Sequence, residues 1–298
     1  MFPVMPIYIG RFAPTPSGPL HFGSLVTALA SWLDARAADG HWLLRIEDVD
    51  PPRCPSGADD TIKRQLEAFG LYWDGKVRYQ STRHDAYQAA LDRLTATGMA
   101  YPCSCSRKQW QEHAIYPGWC RSGVRHPERS CAFRLRTDLT TEDIVWQDRR
   151  LGLQRWRPEK LGDVVLKRRD QLWAYQLAVV VDDAEQGVSD IVRGVDLLDN
   201  TPWQRVLQRA LGLAEPRYLH LPLIMAANGQ KLSKQNLAPA LPHHGEALRP
   251  LLHRALVALG QQPAPELRHA PVTLQLETAL RHWHPADIGI ANAQAMPE

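Results

Sequence analysis

Two short segments carry side chains suited to binding a polyphosphate. Arg11-Phe12-Ala13-Pro14-Thr15-Pro16-Ser17-Gly18-Pro19-Leu20-His21 is a Pro/Gly-rich loop that passes through Phe22-Gly23-Ser24 into an apolar, helix-like run from Leu25 to Leu33. A loop entering a helix presents unpaired backbone N–H groups, and the helix N-terminus favours negative charge. Gly18 and Gly23 permit close backbone approach, and His21 can donate to a phosphate oxygen. The second segment, Lys231-Leu232-Ser233-Lys234-Gln235, follows a strand-like run from Tyr218 to Ile224 and an Asn228-Gly229 turn signal. Lysines placed there can neutralise charge developing on a leaving pyrophosphate. The pair reads as two halves of one ATP site, with His21, Gly23, Lys231 and Lys234 on the phosphates and His21 and Lys234 as the catalytic residues.

A second constellation is built from cysteine. Cys103-Ser104-Cys105 is followed by Cys120 in a Pro/Gly-containing loop, a spacing that can supply thiolates to a tetrahedral zinc. Spacing leaves the fourth ligand open among Tyr116, His113 and Cys131, and free thiols without metal are the other account of these residues. Cys54, beside Pro55, stands apart. Five cysteines, an odd number, argue against a disulfide framework. The start Met1-Phe2-Pro3-Val4-Met5-Pro6 lacks the basic and apolar regions of a signal peptide, and no long apolar span follows. The expectation is a cytoplasmic protein without membrane contact.

These residues need a scaffold, and the pattern supplies one. At 298 residues, 44% hydrophobic and 22% charged, the chain has the composition of an ordinary soluble protein with a sizeable core. Residues 7–12 predict a strand, Leu25 to Ala38 a helix and Trp42 to Ile46 a second strand, a βαβ unit with parallel strands. Ligands of such sheets lie beyond the carboxyl ends of the strands, where Glu47, Asp48 and Asp50 follow at once; an exposed acidic turn is the alternative. Helices are predicted over Ala58 to Phe69 and Tyr87 to Thr97, each stopped by glycine. Ala132 to Arg136 alternates as a strand, and Val164 to Lys167 with Leu172 to Tyr175 reads as a hairpin around Arg169-Asp170. Sheet character resumes at Ser189 to Arg193, and Thr201 to Leu211 reads as a helix capped by Thr201, with Pro202 at its first position. Helices near Glu246 to Leu259 and Val272 to His282 complete the chain.

The net charge of +3 is too small to demonstrate nucleic-acid binding. Locally, Arg149, Arg150, Arg155, Arg157, Lys160, Lys167, Arg168 and Arg169 crowd a stretch that also holds Trp146, Trp156 and Trp173. Such a surface can follow an RNA backbone, or it is a solvated charged face.

Six segments in order resemble the catalytic half of glutamyl-tRNA synthetases: Arg11 to Gly18, His21 to Ser24, Leu44-Arg45-Ile46-Glu47-Asp48-Val49-Asp50, Val180-Val181-Asp182-Asp183, Ile191-Val192-Arg193-Gly194-Val195-Asp196-Leu197-Leu198, and Lys231 to Lys234. The short region after the lysine motif and the cysteine cluster resemble the smaller glutamyl-Q tRNA(Asp) synthetase family. That resemblance implies an α/β fold: a Rossmann-like parallel-sheet core from residues 1–100 and 168–237, a zinc-containing α+β insertion at 101–167, and a small helical extension at 238–298 with no anticodon-binding domain. It implies activation of L-glutamate by ATP with Mg2+, without tRNA, and transfer to the queuosine base of tRNA(Asp). It assigns the glutamate pocket to Arg11, Phe12, Ala13, Pro14, Thr15, Glu47, Tyr175 and Arg193, with the arginines on carboxylate and Glu47 on the ammonium. It also makes Cys103, Cys105, Tyr116 and Cys120 the zinc ligands. Phe22, in place of an aliphatic residue, and Gln235, where serine is usual, depart from the family pattern away from the proposed charges.

Three other readings carry distinct expectations. A compact glutamyl-tRNA synthetase would charge the 3′ end of tRNA(Glu). A non-tRNA nucleotidyltransferase would share the histidine and lysine motifs without a glutamate pocket. An RNA-binding module with an inactive synthetase fold would form no AMP.

Overall fold

The computed structural model describes residues 7–226 and 239–297. The chain opens with β1 (Ile9–Phe12), α1 (Phe22–Ala37) and β2 (His41–Ile46), and β1 pairs with β2 in parallel, Phe12 opposite Leu44. Apolar residues surround most of α1, because its Leu25, Val26, Leu29 and Leu33 are buried between the sheet and later helices. There follow α2 (Ala58–Ala68), β3 (Arg78–Tyr79), α3 (His84–Ala96), β4 (Ala100–Cys103), β5 (Ala132–Leu135), β6 (Ile144–Asp148), β7 (Gly152–Trp156) and β8 (Val165–Lys167). The second half contains α4 (Tyr175–Glu185), β9 (Asp190–Gly194), α5 (Thr201–Ala210), β10 (Arg217–Leu221), β11 (Leu223–Met225), α6 (Leu248–Ala258), α7 (Val272–Arg281) and β12 (Ala293–Ala295).

Parallel pairing joins β1, β2 and β3 in one sheet, and a second runs β7-β6-β10-β9 with β10 parallel to both neighbours. Their edges meet where Ser189 N–H donates to Ile9 O and Ile9 N–H to Ser189 Oγ, both at 2.9 Å. The carboxyl ends of β1, β2 and β9 therefore open on one side, the place expected for a ligand in a sheet of this kind. A separate antiparallel sheet, β4-β5-β8, lies beside it. One core packs α1, β1 and β2 against α6 and α7 through Leu29, Trp42, Leu252 and Leu276; another gathers Tyr87, Leu135, Trp146, Leu177 and Leu207. No helix among the described residues is long and apolar enough to cross a membrane.

Several local expectations are corrected. The hairpin at Arg169-Asp170 shrinks to one bridge between Lys167 and Trp173, and Tyr175 instead begins α4. Val179, Val180 and Val181 favour strands, but Leu177, Ala178, Val179 and Val180 lie buried on a helix, so burial overrides propensity. Thr201 does not cap α5: a 3-10 turn over Val195–Asn200 leads straight into the helix, and the Thr201 hydroxyl is engaged with Leu197 O and Arg193. The single strand from Tyr218 to Ile224 is two, broken at Pro222, which has no N–H for the ladder. Strands β3, β4, β6, β7 and β12 had no counterpart in the sequence reading, and β6 and β7 place part of segment 101–167 in the same sheet as β9 and β10.

The basic, tryptophan-rich stretch is largely tied into the protein. Arg149 pairs with Asp34 at 2.5 Å, Arg155 with Asp143 at 2.7 Å and Arg168 with Asp50 at 3.2 Å, while Lys167 reaches Gln88 and lies over Trp173. Arg150 donates to the carbonyls of His220, Gly289 and Ala291, and Arg169 to that of Ser104.

Candidate active site

Two cavities adjoin at the carboxyl ends of β1 and β9, sharing Phe12, Thr15, Thr27 and Gly194 in their walls. The first, about 360 Å3, is lined by Ser17, His21, Gly23, Ser24, Asp196 and Pro222 among others. His21 is the N-cap of α1: its Nδ1 accepts the Ser24 N–H at 3.3 Å, so in the neutral ring the proton sits on Nε2. The ring thus carries a donor at its outer nitrogen, beside the start of a 16-residue helix. Gly18 sits at φ 139°, a conformation that only glycine adopts readily. At Gly194 a Cβ would fall 2.4 Å from Asp196 Oδ1, so a larger residue there would make the Asp196 side chain turn aside. Lys231 and Lys234 lie outside the described residues.

The second cavity, about 380 Å3, is lined by Arg11, Ala13, Thr15, Glu47, Tyr175 and Arg193 among others. Pro14 faces the first cavity instead, while its carbonyl accepts the Glu47 N–H at 3.0 Å and ties the loop to the end of β2. Arg11 grips Asp183 with both Nε, at 3.0 Å, and Nη2, at 3.4 Å. The fully buried Arg45 bridges Asp183 at 2.8 Å and Glu47 at 3.6 Å. Burial works to raise the pKa of Asp183, but Arg11 and Arg45 outweigh it and hold the carboxyl below its ordinary range. At Glu47 the balance goes the other way: burial prevails over Arg45 and Arg11, and its pKa is pushed up to about 7.

Arg193 differs from Arg11 in its partners. Nε donates to His220 Nε2 at 3.2 Å, Nη1 to Gln204 Oε1 at 2.9 Å, and Nη2 to Thr201 Oγ1 at 2.8 Å and Leu197 O at 3.3 Å. Nη1 also faces the Tyr175 hydroxyl at 3.5 Å. Among the described residues no carboxylate lies within ion-pair distance of Arg193, so this buried cation offers its charge to the cavity.

Tyrosine, rather than histidine or a fourth cysteine, joins the cysteine cluster. The Sγ atoms of Cys103, Cys105 and Cys120 lie within 4.8 Å of one another. Tyr116 Oη is 3.3 Å from Cys103 Sγ and 3.5 Å from Cys105 Sγ, and it accepts the Cys120 N–H at 3.1 Å. His113 packs edge-on against Trp119, and the Cys131 thiol turns to Arg129 O. Burial opposes ionisation of Cys120, yet the N–H groups of Arg125 and Ser104 and the Tyr116 hydroxyl outweigh it and hold the thiol down to about 6. Arg134 adds a donor to Cys103 Sγ at 3.3 Å. Three sulfurs and a phenol oxygen with N–H donors behind them suit a divalent metal that prefers soft ligands.

Sequence reasoning gave no role to Asp183, Arg45, Asp148, His220 or Gln204. The signal available was a polar residue inside an apolar strand, His220 between Leu219 and Leu221, which implies a buried partner.

The family model for tRNA synthetases class I (E and Q), catalytic domain, matches residues 9–116 and 120–266. A glutamyl-Q tRNA(Asp) synthetase of Pseudomonas putida is 54% identical over 295 residues, spanning 98% of this chain and 95% of the relative. The protein of that name from Pseudomonas aeruginosa is 52% identical over 278 residues, spanning 93% of each. In fold, the crystal structure of a glutamate tRNA ligase from Elizabethkingia meningosepticum in complex with its amino acid aligns with a TM-score of 0.82 at 23% identity, covering 97% of this chain and 67% of that one.

Proposed function

The chain belongs to the class I tRNA synthetase (E and Q) family and, within it, to the glutamyl-Q tRNA(Asp) synthetases, and from that premise we propose that it activates L-glutamate with ATP without tRNA and transfers it to the queuosine base of tRNA(Asp). The observation that carries the reading is the junction of the two cavities, one with a helix N-terminus and His21, the other with Arg11, Glu47 and Arg193.

The glutamate α-carboxylate is ionised at neutral pH and needs no general base. One of its oxygens attacks the α-phosphorus of ATP; the new P–O bond forms as the bond to the β-phosphate oxygen breaks, and pyrophosphate leaves. Positioning and charge neutralisation then account for most of the rate. In this scheme His21 donates from Nε2 to a phosphate oxygen, and Gly23 and the first turn of α1 present backbone N–H groups. Lys231 and Lys234 neutralise the departing pyrophosphate, and magnesium travels with ATP.

Arg193 takes the side-chain carboxylate, since its own partners are neutral, and Tyr175 and Thr15 add hydroxyl contacts. Arg11, already paired with Asp183, contributes to the positive field around the α-carboxylate, with Phe12, Ala13 and Pro14 shaping the wall. Glu47 is the counter-ion of the ammonium group, whose arrival stabilises the ionised carboxylate. In the second step a hydroxyl of the RNA attacks the acyl carbon, and the C–O bond to AMP breaks.

Cys103, Cys105, Tyr116 and Cys120 are the proposed holders of one structural zinc. The same reading takes 101–167 as an insertion whose cysteine-bearing part is built around that metal while its β6 and β7 join the sheet of the core, 1–100 with 168–237 as the catalytic core and 238–298 as a small C-terminal region, in a cytoplasmic enzyme.

The test is incubation with ATP, labelled glutamate and purified tRNAs with and without queuosine, followed by location of the label. Label on the modified base of tRNA(Asp) is expected; label on the 3′ end of tRNA(Glu) would replace this reading.

A further inference from the structure

His220 is fully buried in the middle of β10, in the run Tyr218-Leu219-His220-Leu221. Its Nδ1 lies 2.6 Å from Oδ2 of Asp148, itself buried at the end of β6. The other oxygen of Asp148 accepts the N–H groups of Arg150 and Leu151 at 3.1 and 3.0 Å. An aspartate so surrounded by donors is an acceptor, and Nδ1 must carry a proton to satisfy it. Across the ring, Nε2 is 3.2 Å from the Arg193 Nε, a group that can only donate, and 3.3 Å from the Thr201 hydroxyl, which can donate or accept and so leaves the choice to the guanidinium. Nε2 therefore offers a lone pair, and a proton there would set two donors face to face. Both constraints select one neutral tautomer.

The consequence falls on Arg193. Its Nε is held by this lone pair, while Gln204, itself donating to Gln176 Oε1 at 3.0 Å, and Thr201 hold the two outer nitrogens. A carboxylate in place of His220 would immobilise the guanidinium equally well, but it would also cancel its charge. A neutral acceptor oriented by a more remote carboxylate fixes the geometry and leaves the charge for a ligand.

We propose that the Asp148–His220 pair is a positioning device for Arg193, holding its guanidinium in place for the side-chain carboxylate of glutamate without neutralising it. The inference rests on the glutamate reading of the second cavity. It assigns to β6 and β10 a share in amino-acid recognition, although neither residue lines the cavity.

The experiment measures pyrophosphate exchange as a function of glutamate and of ATP for the wild type, H220L, H220Q and D148N. H220L is expected to raise the KM for glutamate on the order of tenfold, with the KM for ATP within about twofold. H220Q, whose Oε1 can accept the same N–H, should recover most of that loss, to within about threefold of the wild type. A folded H220L with wild-type KM for glutamate, equal changes in both KM values, or no rescue by glutamine would overturn the proposal. Should H220L fail to fold, D148N decides: about a threefold or larger rise in the glutamate KM supports the pair, and no change refutes it. Ring-nitrogen NMR of the wild type stands apart from activity, since a proton found on Nε2 of His220 defeats the inference even in an active enzyme. Absence of glutamate-dependent exchange in the wild type, with the tautomer as described, would instead defeat the reading of the substrate.

Discussion

The cavity lined by Arg11, Glu47 and Arg193 and the cluster of Cys103, Cys105, Tyr116 and Cys120 both bury several ionisable groups, but they balance charge by different means. Around the cavity the protein supplies most counter-ions itself: Asp183 serves Arg11 and Arg45, and Arg45 reaches Glu47. What is left over, the charge of Arg193 and the raised pKa of Glu47, points at a ligand bearing one group of each sign. In the cysteine cluster the groups that acquire charge on ionising are all acidic, and Arg134 is the nearby cation, 3.3 Å from Cys103 Sγ. Ionising them together requires a further positive charge at their centre. The cavity can hold its charges with the protein's own counter-ions, whereas the cysteine cluster, once ionised, is the site we propose to be completed by a metal.

The contrast breaks most directly at Arg193. R193A should lower kcat/KM for glutamate in pyrophosphate exchange by on the order of a thousandfold, because a buried charge-assisted contact is lost, while circular dichroism still reports a folded protein. Retained exchange would show that the cavity does not rely on this charge.

For the cysteine cluster the expected zinc content is about one per chain, as for a single tetrahedral site. In C120S it should fall at least about tenfold, with a change in the fluorescence of Trp110 and Trp119, which pack on Tyr116. Fully folded wild-type protein without metal would place the two sites on the same footing.

E47Q should reduce glutamate-dependent exchange on the order of a hundredfold, since the ammonium loses its counter-charge. It should also alter stability with a definite sign. The Glu47 pKa is raised from 4.5 to about 7, so between those values the native protein holds a proton that the unfolded chain has released. Stability contributed by this group is present below pH 4.5 and is lost as pH rises toward 7, by on the order of 3 kcal/mol. Melting temperatures compared at pH 5 and pH 8 should therefore favour E47Q over the wild type only at the higher pH.

A smaller effect sharpens the same point. D183N, which keeps the shape but removes the counter-ion of Arg11 and Arg45, should raise the KM for glutamate by about three- to tenfold in the same assay.

Much of this arrangement is legible along the chain because its causes are local. The Pro/Gly loop into an apolar run predicts β1, α1 and β2, since a helix start and parallel strands leave their mark within a few turns. The position of Glu47 just beyond β2 follows from that unit. Helix α4 escaped the same reasoning because a valine-rich stretch has no local sign of the two-sided burial that makes it helical. The pairing of the basic stretch was hidden for a different reason, since the partners of Arg149 and Arg150, Asp34 and the segment 289–292, are remote in sequence.

By itself the sequence determined which chemistry was available: a phosphate-binding loop, cationic and acidic residues at strand ends, and sulfurs at metal-ligand spacing. Tertiary structure alone decided how the charges were shared, giving Asp183 to Arg11 and His220 to Arg193, and it set against the sulfurs the Tyr116 that spacing had left open and only the family resemblance had picked out. The physical reason is range. Backbone propensity and loop composition act over a few residues, but the electrostatic worth of a buried ion depends on every dipole and counter-ion folded against it.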